Sequence, residues 1–115
     1  MPIEVKSFGS RADEAKDMPN ARVEAVKVLG QRVVKLTLAS DWKWSKDIKP
    51  VVGTHSCQAK HVGIITEGTI HCVCDDGSEA TYTAGEAYAI SPNHDAWVVG
   101  GKPAVVYEFG GAWGE

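Results

Sequence analysis

A chain of 115 residues, 43% hydrophobic and 23% charged, is enough for one globular domain and too short for two. Twelve Lys and Arg against fifteen Asp and Glu leave a net charge of −3 with no block of either sign, which excludes the basic footprint of a nucleic-acid or anionic-membrane binder. No apolar run approaches the roughly 18 residues of a membrane span, and the first ten residues carry Glu4 and Lys6 where a signal peptide needs an apolar centre.

From the N-terminus, the first predicted element is a helix of one or two turns over residues 10–17. Ser10 can cap it, Ala12, Glu14, Ala15 and Lys16 are good helix formers, and Pro19-Asn20 ends it. Beyond that point the pattern has period two. Residues 22–29 alternate imperfectly, Gly30-Gln31 reads as a turn, and Val34, Leu36 and Leu38 alternate with Lys35, Thr37 and Ala39. Residues 41–49 are irregular and charged. Residues 55–66 read as extended, Glu67-Gly68 as a turn, residues 69–75 as the returning strand, and Asp76-Gly77 as a hairpin turn. Residues 79–83, 87–90, 96–99 and 104–109 follow as short strands, separated by Ala84-Gly85, Ser91-Pro92-Asn93 and Gly100-Gly101. Roughly eight short strands with turn residues between them predict an all-β antiparallel sandwich or barrel, with at most one short N-terminal helix.

His55, Cys57 and His61 are odd-numbered within one predicted strand and would share a face. If Glu67-Gly68 is a two-residue turn, His61 lies opposite Cys74, and Ile70, Cys72 and Cys74 join that face. Ile65 and Ile70 make it apolar, hence interior. Two imidazoles and up to three thiols then converge, a donor set suited to a divalent transition metal: zinc first, with iron, nickel or copper as alternatives. Cys57 and His61 are about 13 Å apart on an ideal strand, so one ion can reach both only if the chain bends at residues 58–60. Without the bend, His61 pairs with Cys74 and Cys57 with His55 in two half-sites. For Cys72 and Cys74 the alternative to ligation is simple packing. Trp42 and Trp44 either pack in the core or form a wall of the ligand pocket. Tyr82 and Tyr88 are candidates for the interior.

These segments resemble the cupin family. Residues 53–68 are similar to its first motif, G-x5-H-x-H-x3,4-E-x6-G; counting back from Gly68 puts the motif's glutamate at His61, its second histidine at Cys57 and its first at His55. GEAYAISPNH, residues 85–94, is similar to the start of the second motif, whose histidine position falls on Ala96, two residues beyond His94. The resemblance covers about residues 30–109. It implies a double-stranded β-helix (a jelly-roll barrel) forming one domain, usually a homodimer. Val26, Val28, Val34 and Leu36 are the candidate dimer contacts. His94 stands two residues from the motif position, either as a fourth ligand or as a capping or surface residue.

The expected function is that of a small metal-dependent enzyme acting inside the barrel on a small polar or carboxylate-bearing molecule. Lewis-acid chemistry of a lyase or isomerase is favoured over a dioxygenase. The alternatives are a non-catalytic small-molecule-binding barrel and a barrel whose cysteines and histidines merely pack. Neither nucleic acid nor a membrane is an expected partner, and three cysteines, too few for a disulfide framework, point to a cytoplasmic setting.

Overall fold

Period-two sequences fold into strands because alternate side chains bury on one face, and the computed structural model, which describes residues 2–110, shows this directly. Nine strands form among the described residues: β1 (Glu14–Met18), β2 (Ala21–Val28), β3 (Gln31–Leu38), β4 (His61–Glu67), β5 (Thr69–Cys74), β6 (Glu79–Thr83), β7 (Ala87–Ile90), β8 (His94–Val99) and β9 (Ala104–Phe109). They make a six-stranded sheet in the order β1-β2-β3-β9-β4-β7 and a three-stranded sheet in the order β6-β5-β8. All pairings are antiparallel. The sheets enclose one core, to which β3 contributes Val34, Leu36 and Leu38, β4 Ile65, β5 Ile70 and Cys72, and β9 Ala104 and Val106. This is an all-β jelly roll.

Three expectations are corrected by the structure. Residues 10–17 are not a helix: a 3₁₀ turn at Gly9–Arg11 precedes β1, which pairs along its whole length with β2. An isolated helix of one or two turns is marginal, whereas β1 gains a full ladder of backbone hydrogen bonds. Pro19-Asn20 is the hairpin turn that joins the pair, with Asn20 at φ 57°. The helical segment lies instead between β3 and β4, as a π-helical turn at Trp44–Ile48 continued by α1 (Lys49–Val52) and ended by Gly53 at φ 78°.

Finally, Glu67-Gly68 does not close a hairpin. β4 pairs with β7 and β9, while β5 pairs with β6 and β8, so the chain crosses from one sheet to the other at Gly68. Gly68 is required there, since its φ is 77° and a side chain would collide with the carbonyl of Pro103. His61 therefore lies opposite Ile90, and Cys74 opposite His94.

Of the candidate dimer contacts, Val34 and Leu36 are core residues and Val26 is 4% exposed. The N-terminal arm helps cover that outer face: Phe8 meets Tyr107 edge-to-face at 5.5 Å, and Gly9 N donates to Glu24 Oε1 at 2.5 Å. The large apolar side chains left exposed on this sheet are Val62, Ile64 and Phe109.

Candidate metal centre

Cys57 sits in the loop before β4, held by backbone contacts to the start of β8. Its N–H donates to His94 O at 2.8 Å, and its carbonyl accepts from Asn93 N at 2.7 Å. Asn93, at φ 73°, makes the sharp turn into β8, and its side-chain oxygen accepts a hydrogen bond from Gln58 Nε2. The chain thus bends between Cys57 and His61, the first residue of β4. Cys57 Sγ lies 3.5 Å from His61 Nε2, and the His61 and His94 ring centroids are 5.1 Å apart. One donor atom from each of Cys57, His61 and His94 lies within 4.8 Å of the others, and the three residues are 2%, 5% and 3% exposed.

Each imidazole has its Nδ1 engaged away from this cluster. His61 Nδ1 is 2.7 Å from Glu108 Oε1, and His94 Nδ1 is 2.7 Å from the carbonyl oxygen of Ser91. Both rings are left to present Nε2. Glu108 is itself held by Tyr88, whose hydroxyl donates to Oε2 at 2.5 Å. Gly63 makes that meeting sterically feasible. It lies opposite both residues, and a Cβ there would come within 2.9 Å of Glu108 Cγ and 3.1 Å of the Tyr88 hydroxyl.

Burial alone would push the Cys57 thiol up, yet its hydrogen bonds to His61 and His94 outweigh this and bring it down to about 7. Burial likewise works against a charged His61, but hydrogen bonds to Cys57 and Glu108 raise it to about 10. Burial and the neighbouring Cys74 thiol push Cys72 up to about 12. The site thus favours a thiolate beside an imidazolium, and a cation placed among these donors would replace the imidazolium proton. Tetrahedral zinc with bonds of about 2.0–2.3 Å places neighbouring N and S donors about 3.3–3.6 Å apart, which matches the Cys57–His61 separation. The donor set, its spacing and the orienting partners on both imidazoles fit a transition metal.

His55 is a correction: it is exposed and lies outside the group, because residues 53–60 form an irregular loop rather than a strand. Cys72 and Cys74 do face inward on β5, Cys72 buried and Cys74 half-buried and opposite His94, but neither belongs to the group of three donors. They line a cleft of about 870 Å³ together with residues of β6 and β7. Trp42 and Trp44, 3% and 1% exposed, belong to the core and also line an interior cavity of about 30 Å³ with His61, His94 and Glu108. Tyr82 and Tyr88 line both spaces and stack on each other at 4.6 Å, so the cleft and the cavity adjoin at this pair. Glu108 escaped the sequence reading, although a signal was present: it shares strand parity with the inward Ala104 and Val106.

No protein-family model matches the chain, and no curated protein matches it in sequence. Solved structures do match in fold. An RmlC-like cupin from Shewanella frigidimarina aligns over 95% of this chain and 94% of its own, at 19% identity and a TM-score of 0.57. KdgF from a Halomonas species aligns over 86% and 89% at 13% identity and 0.55, and EutQ from Clostridium difficile over 81% and 70% at 11% and 0.50. The chain thus has a cupin-like fold. Among its described residues is a buried Cys/His/His group able to hold a metal, and none of its described helices is long and apolar enough to cross a membrane.

Proposed function

We propose that Cys57, His61 and His94 hold one divalent transition metal, zinc in the first instance, and that the chain acts on a small polar or carboxylate-bearing molecule inside the barrel. The observation that carries this is the orientation of the two imidazoles, each fixed at Nδ1 by an oxygen acceptor so that Nε2 is left for Cys57 or for an ion shared with it. Three protein donors leave a coordination position for a ligand, as in catalytic rather than structural zinc sites. The ion would supply Lewis-acid polarisation of a carbonyl or carboxylate, the chemistry of a lyase or isomerase. Substrate reaches the cavity from the cleft, past Tyr82 and Tyr88. The three free thiols accord with a cytoplasmic setting, and the exposed Val62, Ile64 and Phe109 with a homodimer.

Elemental analysis of protein purified without a metal-binding tag tests the centre. One equivalent of zinc is expected, while iron, nickel or copper would change the chemistry and no metal would remove it. A stoichiometric ion without turnover on any small carboxylate or carbonyl compound would leave a binding barrel.

A second function is favoured by one geometric fact. Cys57, His61 and Glu108 are linked in series at 3.5 and 2.7 Å, the order of a nucleophile, its base and the group that orients the base. Alkylation of Cys57 by iodoacetamide that persists in protein carrying a full metal equivalent would favour that role over ligation.

A further inference from the structure

Cys72 and Cys74 form a second pair of thiols that the candidate metal centre does not use. One residue separates them on β5, so both side chains lie on its inward face, with Cα atoms about 6.6 Å apart. The two thiols are hydrogen-bonded to each other, and both are free of disulfides. The neighbours of Cys72 on the flanking strands are alanines, Ala80 on β6 and Ala96 on β8, which leave room around the thiol. Both cysteines line the cleft of about 870 Å³, whose lining includes none of Cys57, His61 and His94.

The charge of the cleft indicates the sign of its ligand. Asp75, Asp76, Glu79 and Glu86 line it, and among the described residues no Lys or Arg does. A cleft lined by one sign of charge raises the local concentration of the opposite sign. The number of donors then narrows the ion. Among the described residues the two cysteines belong to no three-donor group of the kind that Cys57, His61 and His94 make. His94, opposite Cys74, has its ring committed to Ser91 O and Cys57. Two thiols without a third donor serve tetrahedral zinc poorly and suit a soft cation that accepts two ligands.

We propose that Cys72 and Cys74 bind one Cu(I) ion as a two-coordinate bis-thiolate in the wall of the cleft, separate from the candidate metal centre. Binding breaks two S–H bonds, forms two Cu–S bonds and releases two protons, with no change in oxidation state. The assignment does not rest on the metal held by Cys57, His61 and His94.

The probe is Cu(I) alone, added to the reduced protein without oxygen and measured by competition with a chromophoric Cu(I) chelator. Removing a group that merely orients a ligand costs about 10–100-fold in metal affinity, so removing a ligand should cost at least about a hundredfold. Cys72→Ser and Cys74→Ser should each weaken the first equivalent of Cu(I) by that factor, and Cys57→Ser should bind it as the wild type does. Copper-edge X-ray absorption of the wild-type complex should show two sulfur neighbours and no nitrogen. Should Cys72→Ser fail to fold, Cys74→Ser decides, because that side chain is only half-buried. No Cu(I) uptake, unchanged affinity in Cys74→Ser, weakened affinity in Cys57→Ser, or a nitrogen neighbour at the copper overturns the proposal. Zinc uptake is measured separately, so the two metal assignments stand or fall independently.

Discussion

Glu108 decides how His61 behaves. A carboxylate at Nδ1 fixes the tautomer and makes Nε2 a stronger donor, and such orienting groups typically change metal affinity about 10–100-fold. Glu108→Gln should lower zinc affinity by that factor, measured by competition with a chromophoric chelator. The metal-free protein should report the same contact through pH. His61 is raised from 6.5 to about 10, so its stabilisation is complete below pH 6.5 and is lost as pH rises through about 10. Cys57 has the opposite sign: lowered from 9.0 to about 7, it contributes fully above pH 9 and loses that contribution as pH falls through 7. The interval from pH 9 to 10 therefore isolates His61. The urea midpoint should fall there in the wild type and fall less in Glu108→Gln. His61 was legible in the sequence as an inward residue because it shares the parity of Gly63 and Ile65 on β4, whereas Cys57 lies in the same loop as His55 and is supported by its motif position alone. His55 misled because loop 53–60 follows no period, and parity arguments hold only within a strand.

Among the elements, the turn into β8 matters most, because it sets Cys57 against His94. Asn93 occupies a left-handed conformation that β-branched residues adopt only at a cost of about 1–3 kcal/mol. Asn93→Val should reduce zinc affinity as well as the urea midpoint, whereas Asn93→Gly should retain most of both. Equal metal affinity in the two variants would mean that the Cys57–His94 bridge does not depend on this turn. Most strands were readable because one face of each is buried, β3 most clearly with Val34, Leu36 and Leu38. β1 was not, since an edge strand with four of its five residues exposed carries no alternation and its Ala, Glu and Lys favour a helix. Nor was the partner of β4, because a Glu67-Gly68 turn looks the same whether the chain folds back or crosses to another sheet.

In the whole molecule, an apolar patch of Val62, Ile64 and Phe109 lies on the outer face of the larger sheet, 44%, 41% and 49% exposed. If a second copy covers it, Ile64→Lys should convert a dimer into a species with the mass of one chain at micromolar concentration, by light scattering, without loss of secondary structure by circular dichroism. A wild type that is already monomeric would remove that assignment. The stacked Tyr82 and Tyr88 have a consequence for kinetics. They line both the open cleft and the small cavity beside the candidate ligands, so if a bound ion is reached from the cleft, a chelator gets to it only when the rings part. Zinc loss to excess chelator should be first order and independent of chelator concentration, its rate set by the opening of the protein. Tyr82→Ala should accelerate that loss and make it depend on how much chelator is present. An ion with modest equilibrium affinity would then be retained for long periods, sheltered by the slowness of two rings rather than by the strength of its bonds.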